Sequence, residues 1–215
     1  MRYEDKKENY YSGGRPTLVK YVPENTKSLL DIGCGRGGSL FLVKQKNKDI
    51  ETWGVELMEL QAKEAIKIAD KVLIGSIEEN IKYLPDNYFD VITMFDVLEH
   101  LSYPEDILRS LKKKLKDSGM IISSIPNVRY CTNLRDLFLF KDWKYVEAGI
   151  LDYTHLRFFT KKSILRLYKN SGYKVYLHKG INAVKLWKFF LINILSLGIL
   201  NDSKYLQFLT IAKKE

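Results

Sequence analysis

An apolar strand running straight into a turn built from four glycines limits what this chain can fold into more than any other feature. Residues 28–39 read SLLDIGCGRGGS. Gly33, Gly35, Gly37 and Gly38 let the backbone approach a bound molecule closely where side chains would block it, so a nucleotide-like ligand is expected at this turn. The spacing alone leaves two readings. Gly33, Gly35 and Gly38 fit the dinucleotide pattern G-x-G-x-x-G, whereas Gly33, Gly35 and Gly37 fit the tighter G-x-G-x-G. Asp31 favours the second. A carboxylate two residues before the first glycine suits a ligand ammonium and sits badly against a pyrophosphate.

Strands and helices alternate downstream in the order that builds a parallel sheet covered on both faces. Strands are expected at Ser28–Ile32, Glu51–Val55, Lys71–Ile74, Phe89–Phe95 and Met120–Ile125. Between them, helices are expected over Gly38–Gln45, on an apolar side made of Leu60, Ala62, Ala65, Ile66 and Ala69, and from Pro104 with Ile107, Leu108, Leu111 and Leu115 on one face. The near-continuous apolar run FDVITMF suits a central, doubly covered strand. Past Pro126 the pattern loosens until Thr160, the expected N-cap of a helix carrying Ile164, Leu165, Leu167 and Tyr168 and closed near Gly172. Tyr173–His178 and Leu206–Ala212 bring the strands to seven. With 215 residues, 46% of them hydrophobic, the chain can bury one sizeable core.

S-adenosylmethionine (SAM) carries an ammonium and no phosphate, which is the chemistry Asp31 asks for. The stretches Asp31–Gly37, DIGCGRG, and Asp96–His100, DVLEH, resemble the D-x-G-C-G-x-G and D-V-L-E-H motifs of the class I SAM-dependent methyltransferases. The resemblance is strongest over Leu29–Pro126. It implies a Rossmann-like, doubly wound, seven-stranded and mostly parallel α/β sheet, with the last strand antiparallel beside the fifth. It also implies a cofactor site made of Asp31, Gly33, Cys34, Gly35, Glu56, Leu57, Gly75, Ser76, Ile77, Phe95 and Asp96. In that site the backbone of Gly33 and Gly35 would meet the SAM carboxylate, and Glu56, 23 residues after Gly33, would take the ribose hydroxyls. Leu57 or Met58 would pack on the adenine. Where the family usually has an Asp for the adenine amino group, this chain has Ser76, so the backbone is expected to make that contact.

Methyl transfer from a sulfonium needs an acceptor held near the methyl, exclusion of water, and removal of a proton when the acceptor is a hydroxyl. His100 is the candidate base, with hydrogen bonding inside its loop as the plainer alternative. In Asp152–Thr160, DYTHLRFFT, His155 and Arg157 are two apart, so an extended segment would aim both to one side, toward an anionic or hydroxylated acceptor. An ion pair between Arg157 and Asp152 is the plainer reading. Methyltransferases resembling this one, often associated with saccharide or quinone biosynthesis, carry a similar H-x-R-F-F-T stretch. Nothing in the spacing of Glu99, His100 and His155 demands a metal, and none is expected. Residues 1–27, with Tyr10, Tyr11 and Arg15, are expected to form a lid over the cofactor, followed by the methyltransferase domain over 28–215. Within that domain, 126–160 reads as a substrate-side insertion.

Charge and cysteine content narrow the function further. The net charge of +9 is carried by Lys141–Glu215, which holds 14 basic and 5 acidic residues. Such a surface suits nucleic acid, an anionic membrane or a phosphorylated substrate, and equally an ordinary solvated helix face. Cys34 and Cys131 make neither a disulfide framework nor a metal-site spacing. The polar start MRYEDKKENYYSGG lacks the apolar stretch of a secretory signal, so a cytoplasmic protein is expected. Residues 183–200, AVKLWKFFLINILSLGIL, are the most hydrophobic stretch, short of a membrane span and interrupted by Lys185 and Lys188. They read as an apolar helical insertion that packs on its own domain, on a second copy in a homodimer, or on a membrane surface. The expected activity is methyl transfer to a small-molecule or saccharide-like (glycan-type) acceptor, with oxygen favoured. An RNA methyltransferase using the basic C-terminal third, a non-catalytic SAM-binding protein and a nicotinamide-dependent oxidoreductase are the alternatives.

Overall fold

The computed structural model describes residues 14–184, 193–194 and 196–215. Five strands, β1 (Ser28–Ile32), β2 (Glu51–Glu56), β3 (Lys71–Ile74), β4 (Phe89–Phe95) and β5 (Leu115–Pro126), run parallel through one sheet. β6 (Tyr173–Ala183) and β7 (Tyr205–Lys214) complete it in the order β3-β2-β1-β4-β5-β7-β6. β7 is antiparallel to both its neighbours, as the resemblance implied. The central strands read as apolar runs because both faces are covered: every residue of β1 is buried, and only Asp90 in β4 is partly exposed.

Seven helices are described: α1 (Pro16–Val19), α2 (Gly38–Lys46), α3 (Glu59–Ala65), α4 (Ile77–Asn80), α5 (Pro104–Lys114), α6 (Cys131–Leu139) and α7 (Lys161–Asn170). α5 starts on Pro104 at its first position and buries Ile107, Leu108 and Leu111. α7 has the expected Thr160 cap in the form of a capping box with Ser163, and Gly172 follows it at φ 77°. Tyr168 of α7 and Tyr173 of β6 are fully buried, their hydroxyls donating to Ser123 Oγ and the Leu108 carbonyl.

Three expectations change. α3 is shorter than its apolar pattern suggested, and it buries Ala62 and Ala65 while Leu60 and Ile66 are 63% and 51% exposed. β5 begins at Leu115, which pairs with Phe89 instead of closing α5, and a register shift lies between Phe89 and Val91. Ala183, expected to open the apolar helical insertion, is the last residue of β6. Residues 185–192 and 195 of that insertion, and Tyr10 and Tyr11 of the expected lid, lie outside the described residues. No helix among the described residues is long and apolar enough to cross a membrane.

Candidate active site

β1 leads outward to β2 and β3, while its other neighbour, β4, leads to β5, so the chain order reverses between β1 and β4. In an open α/β sheet this switch point is where the strand ends part and a ligand fits. Here they open on a cavity of about 520 Å³, walled on one side by the glycine turn and the ends of β2 and β3, and on the other by residues 95–101 and 149–155.

Gly33, Gly35 and Gly37 all take positive φ, at 70°, 55° and 81°. A side chain at Gly33 would also lie 2.7 Å from Val97 Cγ2, so the position admits only glycine. The roles expected of the turn amides are corrected by their partners. Gly33 N–H donates to the Val55 carbonyl at 2.8 Å, and Gly35 N–H donates to Glu56 Oε2 at 2.8 Å. Both amides therefore hold the turn against β2 instead of presenting themselves to a ligand carboxylate. Cys34 is buried against Gly54, and burial pushes its thiol well above the usual range, which leaves it a packing residue.

Glu56 ends β2 with its carboxylate mostly buried. Oε2 accepts from Gly35 N–H, and Oε1 accepts from Met58 N–H at 2.9 Å, so each oxygen keeps a lone pair for a ligand hydroxyl. Asp31, buried in β1, accepts from Thr93 Oγ at 2.7 Å. Loss of hydration pushes its pKa up to about 7, with the Glu56 carboxylate adding to the shift. At the end of β3, Gly75 takes φ 115° and the Ser76 hydroxyl caps α4 by accepting from Glu79 N–H at 3.3 Å. Leu57, Gly75, Ser76 and Ile77 all line the cavity.

Asp96, at φ 59°, is clamped from three directions. Oδ2 accepts from the Arg15 guanidinium at 2.6 Å, and Oδ1 accepts from Ser124 Oγ at 3.0 Å and from the Gln207 amide at 2.5 Å. Arg15 itself lines the cavity, a cation the sequence offered only as part of a polar leader.

Beyond Asp96 a short 3-10 turn, Leu98–His100, carries two further polar groups into the cavity wall. Glu99 is 1% exposed, and neither carboxylate oxygen has a hydrogen-bond partner. Burial, reinforced by Asp96, pushes its pKa well above the usual carboxylate range. His100 Nδ1 lies 3.0 Å from the Thr154 carbonyl and His155 Nδ1 lies 2.8 Å from the Ile150 carbonyl. Because a carbonyl only accepts, Nδ1 carries the hydrogen in both rings. The two rings meet edge to face with centroids 4.7 Å apart, and His155 Nε2 lies 4.0 Å from Glu99 Oε1.

Arg157 does not join this group. Its guanidinium donates to the Ser102 carbonyl at 3.2 and 2.6 Å, and its backbone N–H donates to the Glu99 carbonyl at 2.9 Å, so it braces the 3-10 turn from outside. His155 faces the cavity and Arg157 faces solvent, so the segment does not aim them together. The alternative ion pair is not what holds Asp152 either: its Oδ1 accepts from Thr154 N–H and Oγ.

Two buried acids at the ends of β1 and β2, a glycine-only turn between them and a cavity at the switch point define a SAM-binding α/β domain. The residues fit that cofactor: Asp31 is a buried carboxylate of the kind an ammonium requires, Glu56 keeps lone pairs that hydroxyls could use, and no side chain at Gly33 or Gly35 intrudes. The chain belongs to the methyltransferase-domain family, whose model matches residues 3–178, and SAM is its cofactor. Among curated proteins it is 32% identical over 148 residues to the ubiquinone biosynthesis O-methyltransferase of Histophilus somni, covering 62% of this chain and 57% of that protein. It is 31% identical over 121 residues to phosphoethanolamine N-methyltransferase 1 of Arabidopsis thaliana, covering 53% of this chain and 24% of that protein. The chain thus spans little more than half of the first relative's length and a quarter of the second's. Among solved structures, a SAM-dependent methyltransferase from Archaeoglobus fulgidus shares the fold at a TM-score of 0.68 and 23% identity, covering 96% of this chain and 97% of that one.

Proposed function

We propose that this chain moves a methyl group from SAM to a hydroxyl oxygen of a small acceptor. The observation that carries the reading is the wall of Glu99, His100 and His155, which lines the same cavity as Asp31 and Glu56 and brings two imidazoles and a carboxyl group to the side away from the glycine turn. The likeness to ubiquinone biosynthesis O-methyltransferases supports oxygen as the receiving atom.

When bound, SAM supplies a methyl carbon activated by a sulfonium leaving group. The residues of this chain supply position. Glu56 accepts from the ribose hydroxyls and Asp31 from the ligand ammonium, while the Arg15 guanidinium takes the ligand carboxylate in place of the turn amides. Leu57 covers the base, and the backbone at Gly75–Ile77 meets its edge. The buried lining keeps water from the reacting atoms. At the far wall, the His100 and His155 imidazoles face the acceptor hydroxyl and assist loss of its proton, either of them through its one basic nitrogen, Nε2.

The test is incubation with SAM and a panel of catechols, hydroxybenzoates and sugars, alongside amine acceptors, with mass spectrometry for methylated product. His100→Ala and His155→Ala are expected to keep SAM affinity and lose turnover at least 100-fold, the low end of what a positioned acid–base group contributes, about 10²–10⁴-fold. Methylation of amines alone, or full activity in both variants, would overturn the oxygen reading.

A further inference from the structure

We infer that Glu99, His100 and His155 form a binding site for a divalent transition-metal ion at the acceptor end of the cavity. One donor atom from each residue lies within 4.8 Å of the other two, although His155 is 55 positions from His100 in the chain. One observation beyond proximity points to a cation: both oxygens of the buried Glu99 carboxylate have no hydrogen-bond partner. A carboxyl group 1% exposed and bonded to nothing is costly in either protonation state, and a cation bound to it removes that cost.

The imidazoles are set up in the manner of metal ligands. Each has Nδ1–H committed to a backbone carbonyl, Thr154 for His100 and Ile150 for His155. That bond fixes the tautomer and leaves the ring's lone pair on Nε2, and it is the outer-shell bond that metal-bound histidines usually make. Arg157 steadies the arrangement from behind through the Ser102 and Glu99 carbonyls.

Two nitrogens and one carboxylate oxygen suit zinc, manganese, iron(II) or cobalt(II) better than calcium or magnesium, which prefer all-oxygen shells. Ligand atoms about 2.1 Å from one ion lie at most about 4.2 Å apart, so a separation of up to 4.8 Å closes with a small rotation of the side chains. Three protein ligands leave the remaining positions open, the pattern of a catalytic and not a structural site. With an ion bound, the imidazoles would act as its ligands in place of taking the proton themselves, and an acceptor hydroxyl taken at an open position would lose its proton to solvent more readily. Its oxygen then bonds to the methyl carbon as the carbon–sulfur bond breaks, the electron pair going to sulfur and leaving a neutral thioether. A catechol or other vicinal diol, able to chelate through two oxygens, is the acceptor class this geometry favours. The acceptor role rests on the O-methyl transfer proposed above; metal binding itself does not.

The test reads metal directly. The purified full chain, dialysed against a chelator and then desalted, is titrated with cobalt(II) and followed by its visible d–d absorption, with zinc displacement as a check. One cobalt per chain is expected, with Glu99→Gln and His155→Gln each weakening it at least tenfold. The SAM-induced thermal shift, expected to survive chelation, reports that each variant is folded. His100→Gln, at a partly exposed position, replaces either variant that fails this check. No stoichiometric cobalt signal in the parent protein, or equal affinity in variants that still bind SAM, overturns the site. Stoichiometric metal with methylation confined to amines would keep the site and reject the oxygen reading.

Discussion

Two buried carboxylates, Asp31 and Glu56, carry cofactor affinity in the proposed function, and their energetics run in different directions. Asp31 sits at a pKa of about 7 in the ligand-free protein because burial penalises its charge. A ligand ammonium needs that charge, so SAM binding is coupled to loss of a proton. Affinity is therefore expected to fall about tenfold for each pH unit below 7, and Asp31→Asn to bind weakly with a flattened profile, as calorimetry between pH 5 and 7 can show. The same shift has the opposite sign for folding. The native state holds this proton over a range where the unfolded chain has released it, so the contribution of Asp31 to stability is fully present below about pH 4 and is lost as pH rises through 7. Glu56 already accepts two backbone hydrogen bonds, from Gly35 and Met58. Glu56→Ala removes the ribose contacts and frees the glycine turn together. With charged hydrogen bonds worth about 1.5–3 kcal/mol each, calorimetry should register at least a tenfold loss of SAM affinity.

Among the elements, α7 gives a clean test of local sequence control. Thr160 accepts from Ser163 N–H and Ser163 Oγ accepts from Thr160 N–H, so two amides at the helix start are satisfied reciprocally. Thr160→Ala is expected to lower stability by about 0.5–2 kcal/mol in urea unfolding, with SAM affinity unchanged. That cap was legible in the sequence, as were the central strands, because a doubly covered strand must be apolar throughout and a helix start must satisfy its own amides. α6 was not legible for a related reason: it buries no residue, so no apolar stripe marks it, and Phe138, Leu139 and Phe140 at its end are 72%, 72% and 66% exposed. The site divides in the same way. Asp31, Glu56 and the glycines follow from strand ends and spacing, since the parallel sheet brings strand ends together in a set order. The partners of the Gly33 and Gly35 amides depend on the β1–β2 register, which periodicity does not encode. The meeting of Glu99 with His155 depends on how the loop after β5 folds back, and a separation of more than fifty residues carries no local signal of that.

For the molecule as a whole, the cofactor should act as a stabiliser, because the partners proposed for it come from β1, β2 and β3 and from Arg15 before the sheet. SAM at 100 times its Kd should add about 2.7 kcal/mol to unfolding. For a chain of this size that corresponds to a rise in Tm of roughly 5–11 °C, while NAD at the same concentration should leave Tm unchanged. A larger shift with NAD would return the site to the dinucleotide class that Gly33, Gly35 and Gly38 also fit.

The Asp96 clamp also sets a timetable. One of its partners, Arg15, precedes it by 81 residues, and another, Gln207 on β7, follows it by 111. During synthesis, β1 to β5 and the glycine turn leave the ribosome well before β7 does, yet β7 must enter between β5 and β6 before Gln207 can reach Asp96. A nascent chain can thus own every acid that meets the cofactor and still lack the finished pocket. Protection of a growing chain by SAM should set in late and abruptly, on arrival of the final hairpin.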